Sequence, residues 1–248
     1  MILGIETATA RLGVAVYEPT PGVDTTRDAA ASPVADSTGL LRAAIMVDRG
    51  SVHDALLVPL CRDVVHRAGI EMEALTAIAV SAGPGSFTGL RIGMAAAKGF
   101  ALGLGIPLRL VPTLDAAAEW TVRHSPSHGE TMLAICLDAR RDDVYAATYL
   151  LDGPRWRPVE PVRVFDAATL SALLPDGTVL RGDGASKVHA AAPDRFPLPA
   201  HPGTCLDAGA VAALGVRLLA TDGASDAETC EPLYVREFAV HHAKNPFL

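Results

Sequence analysis

The stretch Ser81–Gly105, SAGPGSFTGLRIGMAAAKGFALGLG, constrains this chain more than any other. Ala77 to Val80 form the short apolar run of a buried strand. Gly83, Pro84 and Gly85 break it: the glycines permit backbone angles closed to other residues, and proline fixes one dihedral between them. Ser86 or Thr88 then supplies the cap of a helix over 86–105. Gly89, Gly93 and Ala97 recur every four residues along that helix, and Ala95, Gly99 and Gly103 do so on a neighbouring face. A glycine inside a helix costs about 1 kcal/mol relative to alanine. The repeat therefore implies an offsetting gain, and very close approach of another helix or strand is the expected one.

Two readings of this element compete. One is a phosphate cradle, in which loop amides and a helix N-terminus face an anion; Thr7, Gly83, Gly85, Ser86, Thr88 and Gly89 would form its degenerate version. The other is a packing joint, with glycines present so that backbones touch. A lone glycine loop is a weak signal, and this one is neither a Walker A loop nor a dinucleotide fingerprint, since no Lys-Ser/Thr and no G-x-G-x-x-G is present in it.

The flanking segments read as α/β. Ile2–Glu6 is a short strand ending in an acid, Thr7–Arg11 a turn, and Leu12–Tyr17 and Leu40–Val47 two further strands, with a Pro- and Thr-rich insertion over 18–39. Ser51 opens a helix that runs to Ala68, with Asp54 placed to complete a capping box, Pro59 inside and Gly69 at its end. Leu56, Leu57, Leu60, Cys61, Val64 and Val65 form its apolar stripe. Strands follow at 106–111, 131–138, 144–151, 159–165 and 178–181, with helices at 113–123 (Thr113 as cap), 167–174 and 206–220. The order of a hairpin, a third strand, a helix, a strand and a helix then repeats. That pattern fits two related α/β lobes, 1–107 and 108–230, better than one doubly wound sheet. The tail 231–248 is expected to return to the first lobe.

Composition narrows the function. The formal net charge is −7, so the chain gains nothing from a phosphate backbone through bulk electrostatics. A nucleic-acid role would need a partner to supply basic surface, with Arg91, Lys98, Arg140 and Arg141 adding local contacts. The four cysteines form no C-x-x-C pair. His124 and His128 have metal-pair spacing, but Pro126 and Gly129 argue against the helix such a pair needs. His53 reads as a helix-start residue facing solvent. The expected location is cytoplasmic, with no membrane association, since no apolar run is long enough to span a bilayer.

Taken together, I-L-G-I-E-T-A-T at 2–9, S-x-H at 51–53, G-P-G-S-F-T-G-L-R-I-G at 83–93, D-A-R-R-D-D-V-Y at 138–145 and E-P-L-Y-V-R at 231–236 resemble the bacterial TsaB (YeaZ) family from end to end. The resemblance implies paired lobes of the actin/Hsp70/sugar-kinase (ASKHA) type, shortened relative to TsaD. It implies a non-catalytic subunit that works with TsaD and the ATPase TsaE to place threonylcarbamoyl on the adenosine beside the anticodon, in tRNAs reading codons that begin with A. TsaD would hold the metal. This chain would bind no cofactor itself, with ATP or ADP at the subunit interface left open, and tRNA would be reached only through the complex. By the same resemblance, the two metal-binding histidines of metal-bearing relatives correspond here to Thr113 and Ala117. Partner contact is expected from the helices at 51–68 and 86–105, where Leu56, Leu60 and Val64 face Leu90, Met94 and Ala97 within a lobe or across to a partner helix, and a homodimer forms through them when TsaD is absent.

The alternative is an autonomous ASKHA-type ATPase or small-molecule kinase. It would use Thr7, Thr9 and the loop at 83–89, with Glu6 or Asp138 for magnesium. The first corner carries Glu6 where kinase-type relatives carry Asp, which places the carboxylate differently. A metallopeptidase would need a metal site for which the sequence offers no ligand set.

Overall fold

The computed structural model describes residues 1–20, 39–48, 52–125, 130–152, 155–198 and 205–235. Most of the expected insertion (21–38), Ser51, His128, residues 199–204 and the tail beyond Val235 lie outside these residues.

The first sheet has the order β3-β2-β1-β4-β5, formed by β1 (Ile2–Glu6), β2 (Leu12–Pro19), β3 (Gly39–Val47), β4 (Ala77–Ser81) and β5 (Leu108–Val111). β1 to β3 are antiparallel, and β1, β4 and β5 run parallel. β1 and β4 are buried throughout, as near-continuous apolar strands covered on both faces must be. On one face lie α1 (His53–Arg67) and α2 (Phe87–Leu104), whose Leu57, Cys61, Val64, Val65, Met94 and Ala97 pack on Leu3, Ile5, Val14 and Val80. The second sheet has the order β8-β7-β6-β9, from β6 (Glu130–Asp138), β7 (Asp143–Asp152), β8 (Arg155–Asp166) and β9 (Val179–Arg181). Its antiparallel trio followed by a parallel strand repeats the first sheet less one strand. The two related lobes of the actin/Hsp70/sugar-kinase type are thus present. α4 (Ala167–Leu173) and α5 (Ala185–Ala191) cover the outer face of the second sheet through Leu170 and Val188, joined by Phe196 from the loop beyond α5.

Between the sheets lie α3 (Thr113–His124) and α6 (Ala208–Asp222). One apolar cluster joins Ile2, Tyr17, Ala79 and Val111 of the first sheet to Leu133, Ile135 and Tyr149 of the second, through alanines of both helices. A polar network runs through it. Arg217 donates to both carboxylate oxygens of Glu119, at 2.9 and 2.5 Å, and the Trp156 indole donates to the same carboxylate at 3.0 Å.

Several expectations are corrected here. The division at 107/108 does not follow the sheets: β5 pairs with β4 and α6 packs on the first sheet, because a parallel β4-α2-β5 crossover returns the chain to the sheet it left. α1 has Val52 at its N-cap with no side-chain cap, and the Asp54 carboxylate accepts from Ala55 N rather than reaching back. Pro59 inside α1 and Gly69, at φ 74°, just past its close are as expected. Thr113 does not cap α3; its hydroxyl accepts from Gly83 N at 2.9 Å while its own N–H donates to Gly83 O. α5 occupies residues that carry no helical periodicity strong enough to predict it.

The partner-facing list needs the largest correction. Val64, Leu90, Met94 and Ala97 are buried in the first lobe's own core, and Leu56 and Leu60 are half-buried. A helix lying on a sheet turns its most apolar stripe inward. The outer face of the helix pair instead carries Val58, Ala95, Gly99, Leu102 and Gly103.

Candidate functional site

The chain turns at the ends of β1, β4, β6 and β9 converge on a cleft between the sheets with a volume of about 670 Å³. Ligand clefts of α/β proteins form at such strand ends, where loops leave the sheet. Its walls are Ala8–Ala10, Pro84–Phe87, the turn Asp138–Arg141, Tyr145, Asp183 and Leu233–Val235.

The glycine loop closes the first-lobe side. Ser86 caps α2, its hydroxyl accepting from Gly89 N at 3.2 Å, and Ser86 N donates to Ala8 O at 2.7 Å. With Gly83 N bonded to Thr113, three amides of the loop are committed within the chain. Of the six cradle candidates, Gly85 and Ser86 line the cleft, and Thr88 is exposed on the first turn of α2. Thr7 is buried behind the wall, and α2 presses on it: a Cβ on Gly89 would stand 2.0 Å from Thr7 O, and one on Gly93 2.1 Å from Thr7 Oγ1. That close approach is the gain the glycine repeat called for. It holds only for the first half of the helix, since Gly99 and Gly103 have nothing within 4 Å.

Glu6 lies at the root of the same corner, fully buried, its Oε1 accepting from Ala8 N at 2.8 Å and Thr9 N at 3.2 Å, while Oε2 has no partner. Burial pushes its carboxyl up to about 7, against the Ser81 and backbone hydrogen bonds that favour the charged form. The folded state thus holds this proton more tightly than the unfolded chain, whose value is 4.5. Glu6's contribution is fully present below the unfolded value and is lost as pH rises through the folded one. Between pH 5 and 8, Glu6→Gln should gain about 3 kcal/mol relative to the native chain, read from urea unfolding of both proteins at the two pH values.

On the second-lobe side, Lys187 of α5 binds Asp138 Oδ1 at 2.6 Å and Asp143 O at 3.1 Å. Burial acts to raise the Asp138 carboxyl, but Lys187 and the Arg140 amide outweigh it and hold it below the usual range. Burial raises the neighbouring Asp183, whose Oδ1 accepts from Asp138 N. Arg140 and Arg141 sit at φ 70° and 49°, left-handed for both, so the β6–β7 turn presents two exposed guanidinium groups at the cleft mouth. Neither Lys187 nor this turn conformation is legible in the sequence: α5 has no strong helical periodicity, and D-A-R-R-D-D specifies a turn but not its handedness. His53 does not face solvent as expected: it is buried, with Nε2 3.3 Å from Arg11 O, because α1 packs its first turn against the β1–β2 turn; His124 stacks on Trp120. Among the described residues no group of three or more His, Cys, Asp or Glu is placed to hold a metal, and no helix is long and apolar enough to cross a membrane.

Comparison with known proteins agrees with this architecture. The family model for TsaD, tRNA N6-adenosine threonylcarbamoyltransferase, matches residues 50–216, more than half of the chain. The tRNA threonylcarbamoyladenosine biosynthesis protein TsaB of Escherichia coli is 37% identical over 100 residues, 40% of this chain and 42% of that protein. TsaB of Bacillus subtilis is 32% identical over 97 residues, 39% of this chain and 40% of that protein. The matched segment thus spans less than half the length of these relatives. The solved structure of YeaZ from Pseudomonas aeruginosa superposes with a TM-score of 0.71 at 25% identity, over 94% of this chain and 98% of that one. The glycine loop and its helix fall within the family match, and the chain belongs to this family, in its TsaB (YeaZ) branch.

Proposed function

We propose that the chain is a non-catalytic subunit of the machinery that makes threonylcarbamoyladenosine in tRNA, and that it docks a TsaD-type transferase through the outer face of α1 and α2. The observation that carries this reading is the state of the glycine loop: the amides of Gly83, Ser86 and Gly89 are bonded within the chain, and Thr7 is sealed under α2. A loop so committed serves as a joint that sets the position of α2 rather than as a phosphate cradle. The outer stripe of that helix (Ala95, Gly99, Leu102, Gly103) is small and apolar, allowing a partner helix to approach closely. Leu102 is 58% exposed and Val58 on α1 40% exposed. In this reading the chain pairs with itself through the same face when TsaD is absent, TsaE joins the heterodimer, and a nucleotide belongs to the subunit interface. With a net charge of −7, tRNA is engaged through the complex.

Light scattering on the chain alone and mixed with TsaD from the same organism tests the reading, together with ATP turnover by the isolated chain. The expected result is a homodimer that converts to a heterodimer, with no turnover by the chain alone. Gly99→Arg, at a position with open space around it, should weaken the heterodimer at least tenfold and leave the fold intact. A chain that ignores TsaD and hydrolyses ATP by itself would overturn the proposal in favour of the kinase-type alternative.

A further inference from the structure

The cleft has one wall that belongs to neither sheet. After α6, the chain crosses to β5, where Ser225 N donates to Leu108 O at 2.8 Å and Leu110 N donates to Ser225 Oγ at 3.1 Å. Asp226 then organises a tight turn, accepting from Glu228 N, Thr229 N and, through its carbonyl, Cys230 N. Lys98 of α2 holds the Glu228 carbonyl. Beyond this anchored base, the chain passes beside the glycine loop, and Leu233–Val235 line the cleft.

That segment is held at two points. Leu233 N donates to Ala82 O at 2.7 Å, continuing the end of β4 by one main-chain bond. One residue on, the Tyr234 ring meets Phe87 at 5.3 Å between centroids, and Tyr234 Oη accepts from Arg91 Nε at 3.1 Å. The Arg91 guanidinium itself lies over the Phe87 ring at 3.7 Å. Gly83 is fitted to this arrangement: it has φ 108°, and a Cβ there would stand 2.6 Å from Leu233 O. The groove is therefore shaped for the segment, yet Leu233 is 46% exposed and Tyr234 40% exposed, so burial adds little to its retention. Arg91 stands on the exposed side of α2, in the same stripe as Ala95 and Gly99.

We propose that residues 231–235 form a displaceable strap, latched by Tyr234 to Arg91, whose release widens the cleft, and that any group engaging Arg91 on the outer face of α2 releases it. The strap links the helix surface to the cleft through one side chain. The latch can be tested on the isolated chain, so its outcome is separate from the partner reading given above, on which only the identity of the releasing group depends.

Amide hydrogen exchange of the full chain reads the strap directly, with β1 and β4 amides as the internal reference for global opening. Tyr234→Ala should speed exchange at Leu233 by about tenfold without changing β1 or β4. Arg91→Ala, which imitates capture of the guanidinium by another group, should do the same. Hydroxyl-radical labelling of Phe87 and Tyr145, both cleft-lining, should rise in each variant. The proposal is overturned if Leu233 exchanges only as fast as β4 in the native chain, which would make the segment part of the core. It is equally overturned if both variants leave Leu233 exchange and the radical labelling unchanged.

Discussion

Arg217→Ala is expected to remove about 3–5 kcal/mol of folding stability, the loss found when one partner of a buried ion pair is deleted and the other charge stays behind. Glu119 is fully buried and Arg217 almost so. The alanine variant would leave the carboxylate with the Trp156 indole and the more distant Arg123, 3.8 Å away, as its compensation. For a domain of this size the thermal midpoint should fall on the order of 10 °C. The pair ties α3 to α6, and both helices lie between the sheets within one apolar cluster. Both lobes should therefore soften together in a single transition, visible by circular dichroism. The opposite change sharpens the test. Replacing Glu119 by Leu, Arg217 by Met and Trp156 by Phe at once removes the charges and the indole donor together, and should recover most of the loss. If the triple variant is as unstable as Arg217→Ala, the network supplies specific geometry that apolar packing does not replace.

What the sequence discloses about this arrangement depends on how far apart the interacting residues lie. β1 and β4 are short apolar runs bounded by turn residues, and each can be read within a window of ten residues. The Ser86 cap and the Asp207 cap of α6, which accepts from Ala210 N at 2.7 Å, are equally local. The Glu119–Arg217 pair spans 98 positions and the Arg91–Tyr234 latch 143, so neither has a local signature. The lobe boundary is hidden for a related reason. Leu108–Val111 reads as a strand, but nothing within it says that it pairs with β4 rather than opening a new sheet. The helix surfaces show a third limit. Leu56, Leu60, Val64, Leu90, Met94 and Ala97 are the apolar positions at helical spacing, and periodicity finds such a stripe without saying what covers it. Here the lobe's own sheet covers most of it, and the surface left outside is the one rich in small residues.

The glycines of α2 give the last prediction, because one substitution should change sign along a single helix. At Gly99 an added Cβ meets nothing within 4 Å, so Gly99→Ala should stabilise the chain by about 1 kcal/mol through helix propensity alone. At Gly89 the same methyl would stand 2.0 Å from the carbonyl oxygen of Thr7, a backbone atom that cannot rotate away. α2 would have to lift from the β1 turn, disturbing the Ser86–Ala8 hydrogen bond that closes the cleft wall. Gly89→Ala should therefore cost about 3 kcal/mol, at the upper end of overpacking changes, and should weaken any binding that depends on the position of α2. Gly93 separates backbone from side-chain obstruction, since its Cβ would meet Thr7 Oγ1 at 2.1 Å, and that hydroxyl is buried without a partner. Removing it with Thr7→Ala should rescue Gly93→Ala but leave Gly89→Ala unrescued. Denaturant unfolding of the two double variants against their singles measures that difference as a coupling energy. Equal rescue at both positions would mean that α2 shifts as a rigid body, and that Thr7 does not fix its distance from β1.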